Sequence, residues 1–361
     1  MPETTIVGNH AKRITADAID FYKNYWHPGD NATQADQQRD LWILSKLFPQ
    51  GLHGKTVMEI GLGGAGGLIR YLQKENKIFG LDASEAALRN CERMGIPAKL
   101  HNADREMLPF NDGTVDLVFA MEVFEHFAAP QYVLEEIRRV LKPSGIVVAS
   151  TPHTLVHHWP RLFYPDLFER DAFREFLMIN DFKVILEEGF GANLYPHDYL
   201  PDAKVRWSFL WQGRKMTDGD AQVYMAHGLY FWGKKNDRGI RTRPMEAIDC
   251  FRKSWELSPD NITARFMLAR SLVYRFIYGE EQEFAKHYDF LTQTMMSGKQ
   301  PMNLQAHYHW AMMYLEMERL GRQRMRRADF ESVLKMLSQH PEGQKLQEQV
   351  INRWRTFSPI S

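Results

Sequence analysis

Val57-Met58-Glu59-Ile60-Gly61-Leu62-Gly63-Gly64-Ala65-Gly66-Gly67, followed by LIRYL, runs from an apolar strand pattern through a glycine-rich turn into an amphipathic stretch. Glycines at such a turn permit backbone angles closed to other residues and let a ligand approach the main chain. A helix N-terminus beyond the turn would offer unpaired N–H groups. By itself the turn fits nicotinamide, flavin and nucleotide binders equally. Glu59, just before Gly61, adds an acidic group able to hold a cationic amino group. Ile78-Phe79-Gly80-Leu81-Asp82 then ends a second strand on a carboxylate able to accept both hydroxyls of a ribose, which also suits NAD.

Working outward, short apolar runs at 56–60, 77–81, 99–101, 115–120, 145–150 and 182–187 alternate with helix-like segments at 68–74, 85–94, 129–141 and 171–179. This alternation predicts an α/β domain, a parallel sheet covered by helices on both faces. The aromatic run 226–234 (AHGLYFWGK) reads as a last strand. Residues 1–54 are polar and mixed, with helical patches at 16–26 and 37–48, and read as a helical cap on a domain spanning 55–236. The stretch 195–225 reads as an aromatic insertion and a candidate acceptor lid, with Tyr195, Tyr199, Trp207 and Trp211 equally suited to the core. Residues 237–243 read as a linker, and 244–361 as a purely helical domain.

The segment after the third strand resolves the choice of cofactor. Asn102-Ala103-Asp104-Arg105-Glu106-Met107-Leu108-Pro109-Phe110 precedes the turn Asn111-Asp112-Gly113 and a fourth strand. Asp104 falls where an adenine amino group needs an acceptor. The ordered series VMEIGLGGAG, GLDAS, ADREMLPF, AMEVFEHF and LKPSGIVVASTP resembles the class I S-adenosylmethionine-dependent methyltransferases, in their small-molecule branch. The match runs over 57–152 and more loosely to Phe190. It implies a Rossmann-like, doubly wound, seven-stranded, mostly parallel sheet. It also implies an S-adenosyl-L-methionine site built from Glu59, Gly61, Gly63, Asp82, Ala83, Asp104, Arg105 and Met121, the last two through their backbone. Gly64-Ala65-Gly66-Gly67 makes the turn one residue longer than the family's usual pattern.

Methyl transfer from a sulfonium needs alignment, exclusion of water and, for an oxygen acceptor, removal of a proton. Candidates lie after the fourth and fifth strands, since ligands of open α/β sheets bind outside the carboxyl ends of the strands. Glu122, Glu125 and His126 would share one face if they opened a helix. They form a candidate site for Mg²⁺ or another divalent metal, an arrangement that resembles metal-dependent O-methyltransferases; the rival is a metal-free orienting role. His153 is the candidate general base, with His126 and Glu125 as further catalytic candidates, and His157 and His158 follow nearby.

In the helical tail, Ala247, Phe251, Ser254 and Pro259, then Ala264, Leu268, Ala269 and Leu272, resemble a tetratricopeptide-like junction. Ala306, Trp310, Ala311 and Tyr314, then Ala328 and Pro341, echo it irregularly. Such tails bind protein partners or fix self-association. Arg322, Arg324, Arg326 and Arg327 cluster there as a solvated face.

The bulk numbers bound the reading. With 361 residues the chain has room for two domains. It carries 45 basic and 45 acidic residues, so its overall charge predicts no nucleic-acid or anionic-membrane partner. Two cysteines exclude a disulfide framework and a four-cysteine zinc site. The opening MPETTIVGNHAKR lacks the apolar core of a signal peptide, and no apolar run approaches a membrane span, so the expected location is cytoplasmic. Expected, then, is a methyltransferase acting on oxygen or nitrogen of a small-molecule or sugar-like acceptor. The alternatives are methylation of an RNA or protein recruited by the tail, and a non-catalytic scaffold that merely binds the cofactor.

Overall fold

The computed structural model describes residues 32, 34–152, 170–190, 208–237, 241–273, 280–296, 304–319, 321 and 325–357. His153, His157, His158, the segment 195–207, the patch at 16–26, Arg322 and Arg324 lie outside the described residues. The chain divides into two compact units, Met1–Thr217 and Asp218–Ser361.

The first unit is built on seven strands: β1 (Thr56–Ile60), β2 (Lys77–Asp82), β3 (Ala98–Leu100), β4 (Val115–Met121), β5 (Leu141–Pro152), β6 (Phe182–Phe190) and β7 (Ser208–Lys215). Their order is β3-β2-β1-β4-β5-β7-β6. All neighbours pair in parallel except β7, which runs antiparallel to both β5 and β6. The chain therefore forms the expected seven-stranded, mostly parallel, Rossmann-like sheet.

Alternation along each strand feeds two separate cores. Met58, Ile60, Val118, Ala120, Val147, Ala149 and Trp211 pack on one face, with Val133, Leu134 and Ile137 of α3 (Pro130–Val140) and Phe173 and Phe176 of α4 (Arg170–Ile179). Val57, Leu117, Phe119, Val148 and Leu210 pack on the other, with Ile43 and Leu47 of α1 (Gln34–Leu47) and Cys91 of α2 (Glu85–Arg93). Strands buried on both faces read as continuous apolar runs, which is why β1, β2, β4 and β5 stand out in the sequence.

Three expectations are corrected. The helix expected at 68–74 is only a 3₁₀ turn, Leu68–Tyr71. Gly66 and Gly67 hold φ of 75° and 65°, which a helix cannot use. Beyond the turn, the Asn76 amide donates to the carbonyls of Leu52 and Leu72 and closes the segment. The last strand is not 226–234: Ala221–Gly233 is helix α5 of the second unit. The sheet is completed instead by Ser208–Lys215, inside the stretch read as a lid, with Trp211 wholly buried. Consequently the two units part at Thr217/Asp218 rather than at 237–243.

The second unit continues from α5 with α6 (Pro244–Leu257), α7 (Ile262–Leu272), α8 (Glu280–Met296), α9 (Leu304–Arg319), α10 (Arg327–Ser338) and α11 (Pro341–Phe357). Helix α6 buries Ala247, Phe251 and Ser254, and α7 buries Ala264, Leu268, Ala269 and Leu272, the small and apolar positions singled out in the sequence. The expected linker is partly paired: Lys235 and Arg241 form an isolated antiparallel bridge. Arg326 pairs with Asp329 and Arg327 with Glu331 on an exposed helix face. Among the described residues no helix is long and apolar enough to cross a membrane.

Candidate active site at the carboxyl ends of the strands

The glycine turn is held from below by two buried carboxylates. Asp82, at the end of β2, accepts the N–H groups of Leu62 (2.8 Å) and Gly63 (3.0 Å) on one oxygen. Its other oxygen takes the N–H of Ser84 (2.8 Å) at the start of α2. Burial pushes the Asp82 carboxyl up, and these donors pull it back. Glu59, on β1, accepts the N–H of Ile69 at 2.9 Å. With 1% exposure its carboxyl is pushed up to about 8, by burial first, against the amides of Ile69 and Leu68.

The turn's glycines fit this arrangement. Gly67 sits at φ 65°, and a Cβ there would lie 2.3 Å from Glu59 Oε2. Gly61 sits at φ 80°, and a Cβ there would lie 2.8 Å from Val123. The expectation of a helix N-terminus offering free amides is not met, because the four-residue 3₁₀ turn gives the N–H of Ile69 to Glu59.

Asp104 follows β3 and is half-buried. Its oxygens accept the N–H groups of Ala128 (3.1 Å) and Ala129 (3.0 Å), the two residues that precede α3. Burial raises this carboxyl also. The loop carrying it is clamped by α3: Glu136 accepts the N–H of Leu108, and Arg139 donates to the carbonyls of Leu108 and Phe110. Arg105 is exposed on this loop, Ala83 lies between Asp82 and the α2 cap at Ser84, and Met121 ends β4.

After β4, Glu122 takes a left-handed φ of 49° and its N–H reaches both the carbonyl (3.0 Å) and the hydroxyl (3.1 Å) of Ser150 on β5. A 3₁₀ turn, Phe124–His126, follows. Phe124 roots it in the core, edge-on to Phe127 and Phe173 at 5.5 Å each. Glu125 is fully buried, and burial together with the Glu122 charge drives its carboxyl well up. His126 Nε2 lies 3.7 Å from Glu125 Oε1. The shared helical face expected of Glu122, Glu125 and His126 does not form, since Glu122 stands outside the short turn. Among the described residues no group of three or more His, Cys, Asp or Glu is arranged to hold a metal. The donor set does not fit a metal centre.

The structure brings Glu59, Gly61, Gly63, Asp82 and Ala83 to one turn, and Glu122, Glu125 and His126 to the neighbouring strand end. It also shows supports that the sequence reading missed. Arg70 donates to the Ala65 carbonyl and to Asp40 of α1 (2.7 Å), and Asn90 of α2 donates to the Gly64 carbonyl (3.1 Å), so both sides of the long turn are tied down. The one sequence signal was Asp40 on the same helix as buried Ile43 and Leu47.

Residues 58–149 match the model of a methyltransferase domain. That segment contains the glycine turn, Asp82, Asp104 and Glu122–His126. The arginine-hydroxylase NDUFAF5, mitochondrial, of Mus musculus is 38% identical over 110 residues, covering 30% of this chain and 32% of the relative. The ubiquinone biosynthesis O-methyltransferase of Pasteurella multocida is 27% identical over 155 residues, 38% of this chain and 63% of the relative. The dimethylglycine N-methyltransferase of Parasynechococcus marenigrum is 29% identical over 154 residues, 38% and 55%. The chain thus spans less than two thirds of the length of each of these relatives.

Proposed function

We propose that the first unit is an S-adenosyl-L-methionine-dependent methyltransferase that methylates oxygen or nitrogen of a small-molecule or sugar-like acceptor. The observation that carries the reading is the methyltransferase-domain match over 58–149, which spans both carboxylates that fix the turns around the strand ends. The residues fit the cofactor. A carboxylate offers about four acceptor positions, and Asp104 spends two on Ala128 and Ala129, leaving capacity for an adenine amino group. Asp82 spends three on backbone amides, so holding a ribose diol requires it to release at least one of them. Glu59 supports the turn through Ile69 with one oxygen, and its carboxyl is the proposed acceptor for the cofactor's amino group.

When bound, the cofactor supplies an electrophilic methyl group on a sulfonium. The chain's part is to align the acceptor, exclude water and take up a proton. His153, which follows β5, is the proposed base, with His126 beside Glu125 as the second candidate. Replacing His153 by Ala is expected to abolish turnover while leaving cofactor affinity intact; unchanged turnover removes it from the mechanism. Calorimetry with S-adenosyl-L-methionine tests the main reading, and binding of NAD in its place would overturn it. Binding without turnover on any acceptor would instead favour the scaffold reading.

A second reading, methylation of a protein or RNA recruited by a tetratricopeptide-like helical unit, is favoured by the relative named an arginine-hydroxylase and by the small-residue pattern of α6 and α7. A labelled-methyl screen of small acceptors against protein and RNA pools separates the two. The cytoplasm is the proposed location.

A further inference from the structure

Gly64-Ala65-Gly66-Gly67 forms the back half of the glycine turn, and three of its four residues are glycines. Gly66 and Gly67 hold φ of 75° and 65°. Glycine loses more conformational freedom on ordering than any other residue, so the shape of such a segment needs support from outside it. Arg70 supplies that support. One guanidinium nitrogen donates to the carbonyl of Ala65, the single non-glycine of the four. The other donates to Asp40 Oδ2 at 2.7 Å and to the Tyr71 hydroxyl at 2.9 Å. Asp40 belongs to α1 and is 3% exposed, and Arg39 donates to its other oxygen at 2.8 Å. Removing one partner of a buried pair leaves the other charge uncompensated, so Asp40 and Arg70 act as a unit.

The front half of the turn is anchored differently. Leu62 and Gly63 give their amides to Asp82, and a ribose held by Asp82 must displace at least one of its donors. The turn then needs a hold that does not run through Asp82. The Asn90 amide on the Gly64 carbonyl is one, and the Arg70 grip on Ala65 is another. The second reaches beyond the strand, turn and following helix, to α1. The pair also borders the floor of the turn. After burial and the amides of Ile69 and Leu68, the charges that bear on the Glu59 carboxyl are Asp40, which raises it, and Arg70, which lowers it. Ile43 and Leu47 fix α1 in the core on one face of the sheet. Its position is therefore transmitted to the turn through one carboxylate and one guanidinium.

We propose that Asp40 and Arg70 are positioning residues of the cofactor site, a clamp through which α1 and bound S-adenosyl-L-methionine stabilise each other. With the back half held at Ala65, the front half can leave Asp82 without the whole turn unravelling. Coupling of this kind is reciprocal: whatever factor the clamp adds to cofactor affinity, the cofactor returns to the docking of α1. The inference rests on the reading of the first unit as a binder of S-adenosyl-L-methionine.

The test measures S-adenosyl-L-methionine binding to the full chain by calorimetry, and backbone amide exchange with and without the cofactor. In the wild type, saturating cofactor should slow exchange in α1 around Asp40, as well as in 61–67, by up to about tenfold. Helix α4, packed on the other face of the sheet, should be unchanged and serves as the reference. A helix that only packs on the sheet would exchange at one rate in both states; that result, or equal slowing in α4, overturns the proposal. Arg70→Met should weaken cofactor binding by about tenfold and Asp40→Asn by less. The double variant should lose no more than Arg70→Met alone, because the two residues act through one grip. Arg70→Lys, with a single ammonium in place of the fork, should fall between Arg70→Met and the wild type. Full-strength binding by Arg70→Met, or additive losses in the double variant, would also overturn it. If Arg70→Met does not fold, the wild-type exchange measurement still decides. No binding by the wild type removes the cofactor reading and this proposal together, whereas binding without protection of α1 removes this proposal alone.

Discussion

Glu59 is sealed beneath the glycine turn, so its proton is coupled to folding. Its carboxyl rises from 4.5 to about 8 in the folded chain because burial outweighs the amides of Ile69 and Leu68. Between those values the folded state holds a proton that the unfolded state has released. The resulting stability is complete below about pH 4.5 and is lost as pH rises through about 8, a contribution on the order of a few kcal/mol. Glu59→Gln keeps an acceptor for Ile69 and cannot ionise. Its melting midpoint should therefore fall less than the wild type's between about pH 5 and 8, and an unchanged slope would assign the titration elsewhere. Asp82 behaves differently, since its oxygens hold Leu62, Gly63 and Ser84. Asp82→Asn keeps one acceptor oxygen and turns the other into a donor facing N–H groups, a loss of about 1–3 kcal/mol. Calorimetry should show S-adenosyl-L-methionine affinity reduced at least about tenfold.

At the level of elements, α3 governs the loop that carries Asp104. Arg139 grips the carbonyls of Leu108 and Phe110 while its partner Glu136 takes the Leu108 amide. Arg139→Met should free that loop, weaken cofactor binding about tenfold, and leave the acceptor KM unchanged; equal loss for both ligands would show general unfolding instead. This clamp is invisible in the sequence, where Glu136 and Arg139 are merely charged positions on an amphipathic helix. The strands β1, β2, β4 and β5 were legible because both of their faces are buried, which leaves unbroken apolar runs. The same logic misleads at 221–233. Helix α5 is apolar nearly all round its surface, so its periodicity carries no helix signal and its aromatic, β-like composition reads as a strand. Strand β7 was hidden for the opposite reason: SFLWQGRK mixes buried Leu210 and Trp211 with polar residues that the sequence assigns to a loop. Around the site, Gly61, Asp82 and Asp104 stand out by position in an ordered series. The Glu122 geometry did not, because its left-handed φ depends on Ser150 from another strand.

For the whole molecule, the position of β7 decides where the chain can be divided. β7 lies between β5 and β6 and pairs with both, from Ile146 to Pro152 on one side and from Phe182 to Phe190 on the other. Its buried Leu210 and Trp211 reach both cores of the first unit. A chain ending at residue 207 would leave β5 and β6 without their common partner and open both cores, so it should aggregate or fail to fold. Ending at Thr217 keeps every strand. Ending at residue 236, as the linker in the sequence suggests, keeps α5 without α6, against which it packs. That exposes Tyr224, Phe231 and Trp232, an apolar face that favours self-association. The expected order of soluble yield is therefore 1–217 above 1–236, with 1–207 lowest, and 1–217 should bind S-adenosyl-L-methionine as the full chain does. Size-exclusion profiles and calorimetry on the three truncations check it. A well-behaved 1–236 beside an aggregating 1–217 would place the true boundary beyond α5 and make that helix part of the first unit.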